Sequence, residues 1–328
     1  MISIRLKASD LPKHLFEHGY SVRPEAEFKA ICSPDEAHEQ GIYFIGPKNK
    51  AHLEHIAAID NVLLFIDKNI ITDSSVLDNA CFQYILVDNV RRTISLLLTH
   101  VEREGCIVPA DFAPGIHASA QIHPKAHVDP GAFVGANVTI FPNCYVGPNV
   151  QIGPGTTLAP GATVVRNAVI GANCLIRENS VIGGNGFGIE KDESGNNLRI
   201  PHLAGVIIGD DVELGALNTV CSGTLKPTLI GDHVKTDDHI HIAHNDIIDE
   251  NVIITAGTIL SGSVHLNSDA WIGINASVKQ GITIGKGSTI GMAACVTKDV
   301  PPGVTMAGSP AKPLADFLKI QSRLNGLI

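Results

Sequence analysis

The 328-residue chain is poor in aromatic residues and has no excess of basic ones. Aromatic side chains make up only 5% of it, although hydrophobic residues reach 44%. We therefore expect a core filled by small aliphatic side chains. The formal net charge is −9, and no basic stripe is available to neutralise phosphates, which excludes a nucleic-acid-binding surface.

Paired cysteine motifs and long apolar runs are also missing. The seven cysteines are odd in number and lack CxxC spacing, which favours reduced thiols over a disulfide framework. The N-terminus has no apolar signal-peptide region, and no apolar run reaches the length of a membrane span. The sequence therefore predicts a soluble, cytoplasmic protein.

What the sequence does have is a repeat of six residues. Every sixth residue is a branched aliphatic in three runs, at 116–182, 208–220 and 230–296, with Thr236 as the one polar exception. Residues six apart lie on different faces of an α-helix, and an ordinary strand has a period of two. A fixed period of six predicts a parallel β-helix of roughly nine coils.

The period also fixes how the coils stack. Three hexapeptides make one triangular coil, so each residue stacks on the residue 18 positions later, about 4.8 Å away. The periodic aliphatics point inward, while Gly, Asn, Asp and Pro occupy the corners, where the backbone angles are unusual.

The repeat divides the chain into three parts. Residues 1–107 lack it and form a predicted α/β domain, 108–312 form the β-helix, and 313–328 form a C-terminal helix. In the first part, short apolar runs predict strands and an amphipathic pattern predicts a helix: strands at 41–45, 61–66 and 82–87, and a helix at 90–104. A polar, Gly-rich excursion at 184–201 interrupts the β-helix, and loops of this length in a compact fold are usually functional or disordered.

The densest polar cluster of the β-helix lies at 236–245. It holds His241 and His244 beside Asp237 and Asp238. A surface histidine has a pKa of about 6.5 and can act as a general base. These residues could also be ordinary solvated turn residues. A metal site is the lesser alternative, because the cluster lacks further His or Cys ligands at suitable spacing.

The motif Ile242-Ala243-His244-Asn245 resembles that of the hexapeptide acyltransferases. The pattern at 181–188 and the opening of the predicted α/β domain are similar to the family of UDP-3-O-(3-hydroxyacyl)glucosamine N-acyltransferases, which act in lipid A biosynthesis. This resemblance implies a left-handed β-helix, a homotrimer, and a nucleotide-sugar-binding role for residues 1–107. It also implies that His244 is the catalytic base and that Asp237 orients or stabilises its imidazolium.

The resemblance and loop position together indicate further substrate-binding residues. These are Phe44, Lys48 and Asn49 in and after the strand at 41–45, Asn185 and Phe187 in the excursion, and His241 and Gln280 near the base. The implied reaction transfers an acyl group from a thioester of acyl carrier protein or CoA to a sugar amine. No tightly bound cofactor and no metal are expected.

Four features depart from the family pattern and keep alternatives open. The turn at 46–49 is one residue shorter, Cys221-Ser222 replaces an Asp-Arg step, 278–282 lacks a second histidine, and 301–313 resembles the cap of acetyl-CoA-dependent sugar acetyltransferases. An acetyl-CoA-dependent N-acetyltransferase for another nucleotide amino sugar, of O-antigen or capsule, is therefore the alternative enzyme. A non-catalytic β-helix scaffold and a carbonic-anhydrase-like zinc β-helix are the other readings.

Overall fold

The computed structural model of the chain describes residues 1–16, 18–71, 77, 82–108 and 112–326. Two compact units are present. Unit 1 comprises Met1–Ala110, Phe187–Ala204 and Thr224–Lys226, and unit 2 comprises Asp111–Gly186, Gly205–Gly223 and Pro227–Ile328. Two features considered from the sequence, Cys81 and the segment 109–111, lie outside the described residues.

Unit 1 is built on a mixed sheet of six described strands in the order β1-β3-β4-β5-β6-β2. The strands are β1 (Ile2–Lys7), β2 (Tyr20–Ser21), β3 (Glu27–Ile31), β4 (Gly41–Ile45), β5 (Leu63–Asp67) and β6 (Gln83–Val87). Strands β3 to β6 run parallel, and β1 and β2 pair antiparallel at the two edges. The strands predicted from the sequence lie within two residues of β4, β5 and β6.

Helices cover both faces of this sheet. The α-helices that the structure describes in full are α1 (Leu53–Ala57) and α2 (Val90–Arg103), and the described 3-10 helices are Ala8–Asp10, Lys13–Leu15, Pro47–His52 and Lys68–Ile70. Helix α2 begins where the Asn89 side chain accepts a hydrogen bond from the backbone N–H of Arg92 at 3.1 Å, a typical N-cap. A hairpin, Ile189–Lys191 paired antiparallel with Asn197–Arg199, also belongs to unit 1.

Two cores follow from the alternation of side chains along the strands. Phe44 and Phe65 pack on one face with Leu97 of α2. Tyr43 of the neighbouring position packs on the other face with Ile56 of α1.

Unit 2 is a parallel β-helix with three faces. Among the described residues the first face has nine strands: Gly115–Ile116, Phe133–Val134, Gln151–Ile152, Ala168–Ile170, Val206–Ile208, Thr228–Ile230, Ile247–Ile248, His265–Leu266 and Thr283–Ile284. The second face has eleven: Gln121–Ile122, Thr139–Ile140, Thr157–Leu158, Leu175–Ile176, Glu213–Leu214, Lys235–Thr236, Ile253–Ile254, Trp271–Ile272, Thr289–Ile290, Thr305–Ala307 and Lys312–Pro313. The third face has nine: His127–Val128, Tyr145–Val146, Thr163–Val164, Val181–Gly184, Thr219–Cys221, His241–Ile242, Ile259–Leu260, Ser277–Val278 and Cys295–Val296. The predicted fold class, a left-handed parallel β-helix of hexapeptide repeats, is confirmed.

The ladder register matches the period of 18. Val134 pairs with Ile152, and Ile152 with Ile170. Ile170 then pairs with Ile208, and Ile208 with Ile230, so the two excursions leave the ladder without changing which residues face inward. The inward aliphatics are buried in one continuous core, and each fully buried Ile or Leu stabilises the fold by about 1.5–3 kcal/mol.

The corners are made by residues that tolerate a positive φ. Asparagine takes this conformation at the third position after an inward aliphatic, and its short polar side chain lowers the cost. The residues are Asn137, Asn143, Asn149, Asn167, Asn173, Asn179, Asn245, Asn251 and Asn275. The chain ends in the helix α3 (Leu314–Asn325). None of the described helices is long and apolar enough to cross a membrane.

Candidate functional site

The predicted base lies in the turn Ala243–Asp246, which we call the His244 corner. It connects strand His241–Ile242 of the third face to strand Ile247–Ile248 of the first. Ile242 pairs with Leu260 in the next coil, so the turn Ser261–Val264, which we call the Gly262 corner, stacks on it.

The positions of the prolines show which backbone N–H groups of a corner the β-ladder does not need as donors. The second position after the inward aliphatic is proline at six corners: Pro124, Pro130, Pro142, Pro148, Pro154 and Pro160. Proline has no N–H, so the ladder requires no donor at this position. His244 and Gly262 occupy the same position in their corners, and Gly262 N donates no backbone hydrogen bond within the described part of the chain.

The His244 ring rests directly on Gly262. A Cβ placed on Gly262 would lie 2.6 Å from Cε1 and 2.8 Å from Nε2 of the ring. Ser263 N donates to the backbone oxygen of His244 at 2.9 Å and holds the two corners together. The missing side chain of Gly262 therefore makes the space in which the imidazole lies, beside a backbone N–H that the fold does not use.

The neighbouring Asn245 orients the ring. Its Oδ1 lies 2.9 Å from Nδ1 of His244, and its own N donates to Thr228 Oγ1 at 3.0 Å. An amide oxygen accepts, so this contact favours the neutral tautomer with the proton on Nδ1 and the lone pair on Nε2. This is the tautomer that a general base at Nε2 needs.

His241 lies one strand before the corner and is half-buried. Thr219 Oγ1 is 2.7 Å from its Nδ1. Burial, and then the nearby His244, lower the pKa of His241, so the ring is kept neutral. A neutral ring in this position can donate or accept a hydrogen bond to a ligand along the third face.

Sequence reasoning missed Asp246, the last residue of the His244 corner. Asp246 is fully buried, and burial raises its pKa to about 8, although the backbone amides of Val264 and Ala243 lower it in part. The Cys221 thiol is buried as well, and burial, followed by the charge of Asp246, raises its pKa. The signal for Asp246 is its position, since it stands two residues before an inward aliphatic, where small or apolar residues are usual.

The other predicted residues of unit 2 lie at separate places. Asp237 follows strand Lys235–Thr236, and its Oδ1 accepts from Asp238 N at 2.8 Å within its own turn. A whole strand, His241–Ile242, lies between that turn and the His244 corner, so the supporting role of Asp237 stays a prediction. Leu260 pairs with Val278, which places exposed Gln280 in the next position of the column that contains Gly262. Asn185 is exposed at the start of the excursion.

In unit 1 the predicted contacts have different surroundings. The Phe44 side chain is only 2% exposed and stacks on Phe65 at 5.4 Å, so it is a core residue here, and the substrate contact expected of it stays a prediction. Asn49 accepts from Gly46 N at 2.7 Å and donates to Phe44 O at 2.8 Å, which fixes the turn after β4. Lys48 is exposed in that turn, and Phe187 is 80% exposed.

None of these predicted contacts lines a described cavity, and none belongs to a described metal-binding cluster. A cavity of about 450 Å³ in unit 1 is lined by residues that include His18, Asp88, Arg92 and Glu193, and by none of the residues 46–49 of the turn after β4. Among the described residues, no group of three or more His, Cys, Asp or Glu side chains is arranged to hold a metal ion.

Comparison with known proteins defines the class first. The model of the bacterial transferase hexapeptide (six repeats) matches residues 131–166 and 150–184. The solved UDP-N-acetylglucosamine acyltransferase from Campylobacter jejuni aligns with a TM-score of 0.53 and 25% identity, over 59% of this chain and 73% of that one. Residues 131–184 of the β-helix thus match transferase hexapeptide repeats.

Curated relatives are more specific. A UDP-3-O-acylglucosamine N-acyltransferase from Azorhizobium caulinodans is 49% identical over 146 residues, 44% of this chain and 41% of that protein. One from Coxiella burnetii (strain Dugway 5J108-111) is 54% identical over 65 residues, 20% of this chain and 19% of that protein. The matches thus span less than half the length of these relatives. They confirm the predicted resemblance to this family of enzymes.

Proposed function

We propose that the protein is an N-acyltransferase. It moves an acyl group from a thioester of acyl carrier protein or CoA to the amine of a nucleotide-linked amino sugar. The activity is closest in kind to that named for the UDP-3-O-acylglucosamine N-acyltransferases it resembles, and lipid A biosynthesis is the proposed pathway. The observation that carries the proposal is the His244 ring lying on Gly262, beside an N–H the fold does not use.

In the proposed mechanism, Nε2 of His244 removes a proton from the sugar amine while its nitrogen attacks the thioester carbon. The carbonyl oxygen becomes an oxyanion, and the N–H of Gly262 donates to it. When the carbon–sulfur bond breaks, the imidazolium returns the proton to the leaving thiolate. The atoms balance as amide plus free thiol, and no step requires a metal or redox cofactor.

The remaining assignments belong to the same proposal. Residues 1–107 bind the nucleotide sugar, with Lys48 and Asn49 in the turn after β4 as contacts. His241 and Gln280 contact substrate near the base, and Asn185 and Phe187 of the excursion are further substrate contacts. A homotrimer is supported by the first face, where Ile207 and Ile247, two coils apart, are 43% and 37% exposed. The free thiols of the six described cysteines are consistent with a cytoplasmic location.

The test is thioester consumption with a panel of substrates. Purified protein is incubated with UDP- and dTDP-linked amino sugars, each with acetyl-CoA or 3-hydroxyacyl carrier protein. The mass of the product is measured by mass spectrometry. Amide formation with hydroxyacyl carrier protein and a UDP-glucosamine derivative is expected. Turnover only with acetyl-CoA and another amino sugar would establish the alternative N-acetyltransferase. A protein that forms a trimer but consumes no thioester with any pair would be a scaffold.

A further inference from the structure

Asp246 is an acidic residue at a position that the fold normally fills with a small or apolar side chain. Its side chain is 0% exposed and lies in the His244 corner, two residues after the base. In the ladder it stands between Thr228 and Val264, neither of which titrates. Asp246 itself acts on the nearby buried thiol of Cys221, whose pKa it helps to raise.

One oxygen of Asp246 has a structural partner. Oδ1 accepts from the backbone N of Val264 at 2.8 Å, which joins the His244 corner to the end of the Gly262 corner. The same bridge to the next coil is made elsewhere by uncharged side chains: Thr156 Oγ1 accepts from Cys174 N at 3.0 Å, Ser180 Oγ from Asn218 N at 3.0 Å and Asn218 Oδ1 from Ile240 N at 2.7 Å.

The other oxygen distinguishes Asp246 from those neutral bridges. Oδ2 is buried and has no hydrogen-bond partner among the described residues. A buried carboxylate without a cation is costly, and such a group takes up a proton instead. The bridge requires only an acceptor at Oδ1, which a neutral carboxylic acid provides as well as an amide does.

We propose that Asp246 is a positioning residue for His244: held as the neutral acid, it ties the His244 corner to the Gly262 corner and so keeps the imidazole on Gly262. This inference rests on the proposed function. Ionisation of Asp246 would put an unpaired charge in the core and strain the corner. It would also favour the imidazolium form of His244, which cannot accept a proton.

The sign of the pH dependence follows from the two states. A carboxyl of an unfolded chain ionises at about 3.9, whereas burial raises the pKa of Asp246 to about 8 in the folded state. The folded state therefore binds the extra proton between these values, and the stability that this proton contributes is lost as the pH rises towards 8. Asp246→Asn, which mimics the neutral acid, removes this slope.

The experiment compares the full-length protein with Asp246→Asn, Asp246→Val and the exposed control Asp269→Asn. Infrared difference spectra of wild type against Asp246→Asn should show the carbonyl band of a protonated carboxyl that disappears near pH 8. A carboxyl that ionises below about pH 5, the ordinary range, would overturn the proposal. This readout needs no turnover, so it decides the protonation state even if the proposed function fails.

The pH–rate profile tests the link to His244. Wild type and Asp269→Asn should lose kcat above about pH 8, whereas Asp246→Asn should keep it. Asp246→Val removes the acceptor for Val264 N and should lower kcat at every pH with little change in KM. An alkaline loss that is identical in wild type and Asp246→Asn, or a Val variant with wild-type kcat, would overturn the positioning role.

Discussion

Two kinds of corner in the same β-helix show how a structural repeat acquires chemistry. At Pro142 and Pro160 the second position of the corner is closed by a ring that has no N–H. At the His244 and Gly262 corners the backbone follows the same path, but the second position bears an imidazole in one corner and no side chain in the next. Both solutions satisfy the ladder.

The comparison shows that the backbone ladder needs no donor at this position; at Ala172, Asp210 and Ala216 an aspartate of the next coil accepts the N–H instead, whereas the Gly262 N–H has no such acceptor among the described residues. Proline removes that group and stiffens the turn, because it fixes φ. Glycine retains it and leaves room above it for a neighbouring ring. At the proposed site the turn is therefore less stiff, but a backbone N–H is available as a donor. Introducing proline at this position stiffens the turn and removes the donor, and so tests the function.

The largest expected effect comes from removing the base. His244→Ala should lower kcat by about 10²–10⁴-fold, the usual contribution of a general base, and leave the oligomeric state unchanged. Thioester consumption and light scattering measure the two quantities. His239→Asn, at an exposed corner residue with φ 59, is the matched control and should keep its activity. A near-wild-type rate in His244→Ala would contradict the assignment of His244 as the general base.

Converting the Gly262 corner into the proline type is the next test. Gly262→Pro removes the N–H and crowds the ring, and it should lower kcat by about 10²–10³-fold. Gly262→Ala keeps the N–H and only crowds the ring, so it should retain more activity. Gly115→Ala, whose Cβ would meet nothing within 4 Å, is the control for the substitution itself. Equal rates in the Ala and Pro variants would show that the N–H contributes nothing.

A smaller effect is expected at Thr228, which accepts from Asn245 N at 3.0 Å. Thr228→Val keeps the shape but leaves that N–H without its acceptor, which should lower the free energy of unfolding by about 1–3 kcal/mol. Chemical denaturation measures this loss, with Thr283→Val on the same face as the control. The account of how Asn245 is held would be wrong if both variants were equally stable.

The smallest effect is expected at Asp237. Its described hydrogen bond caps its own turn, on the other side of strand His241–Ile242 from the base. Asp237→Asn should therefore lower kcat less than about tenfold, equivalent to 1.4 kcal/mol. A loss approaching that of His244→Ala would instead establish the stabilising role that the family resemblance implies for Asp237.

The sequence predicts the β-helix well, because each coil must bury an aliphatic at a fixed interval and asparagine marks the corner three residues later. It predicts His244 because a histidine in a recognisable motif carries its own chemical signal. Gly262 has no such signal, and only counting 18 residues from His244 reveals it. Asp246 is missed since its acidity suggests the surface, while the register places it inside.

Unit 1 is harder to read from residue types. The family resemblance indicates Phe44 as a substrate contact. However, β4 lies in the middle of the sheet and is covered on both faces, so every residue of Gly41–Ile45 is buried. The burial of a central strand depends on which strands and helices flank it, and local sequence does not specify that arrangement.

The most direct test of the central claim is a double-mutant cycle between His244→Ala and Gly262→Ala, measured as the rate of thioester consumption. If Gly262 acts by leaving room for the imidazole, Gly262→Ala should lower the rate of thioester consumption by up to about 10²-fold when His244 is present, as for a misplaced catalytic group. In the His244→Ala background, Gly262→Ala should not lower the rate any further. The same loss in both backgrounds would contradict the account, because Gly262 would then act independently of the base.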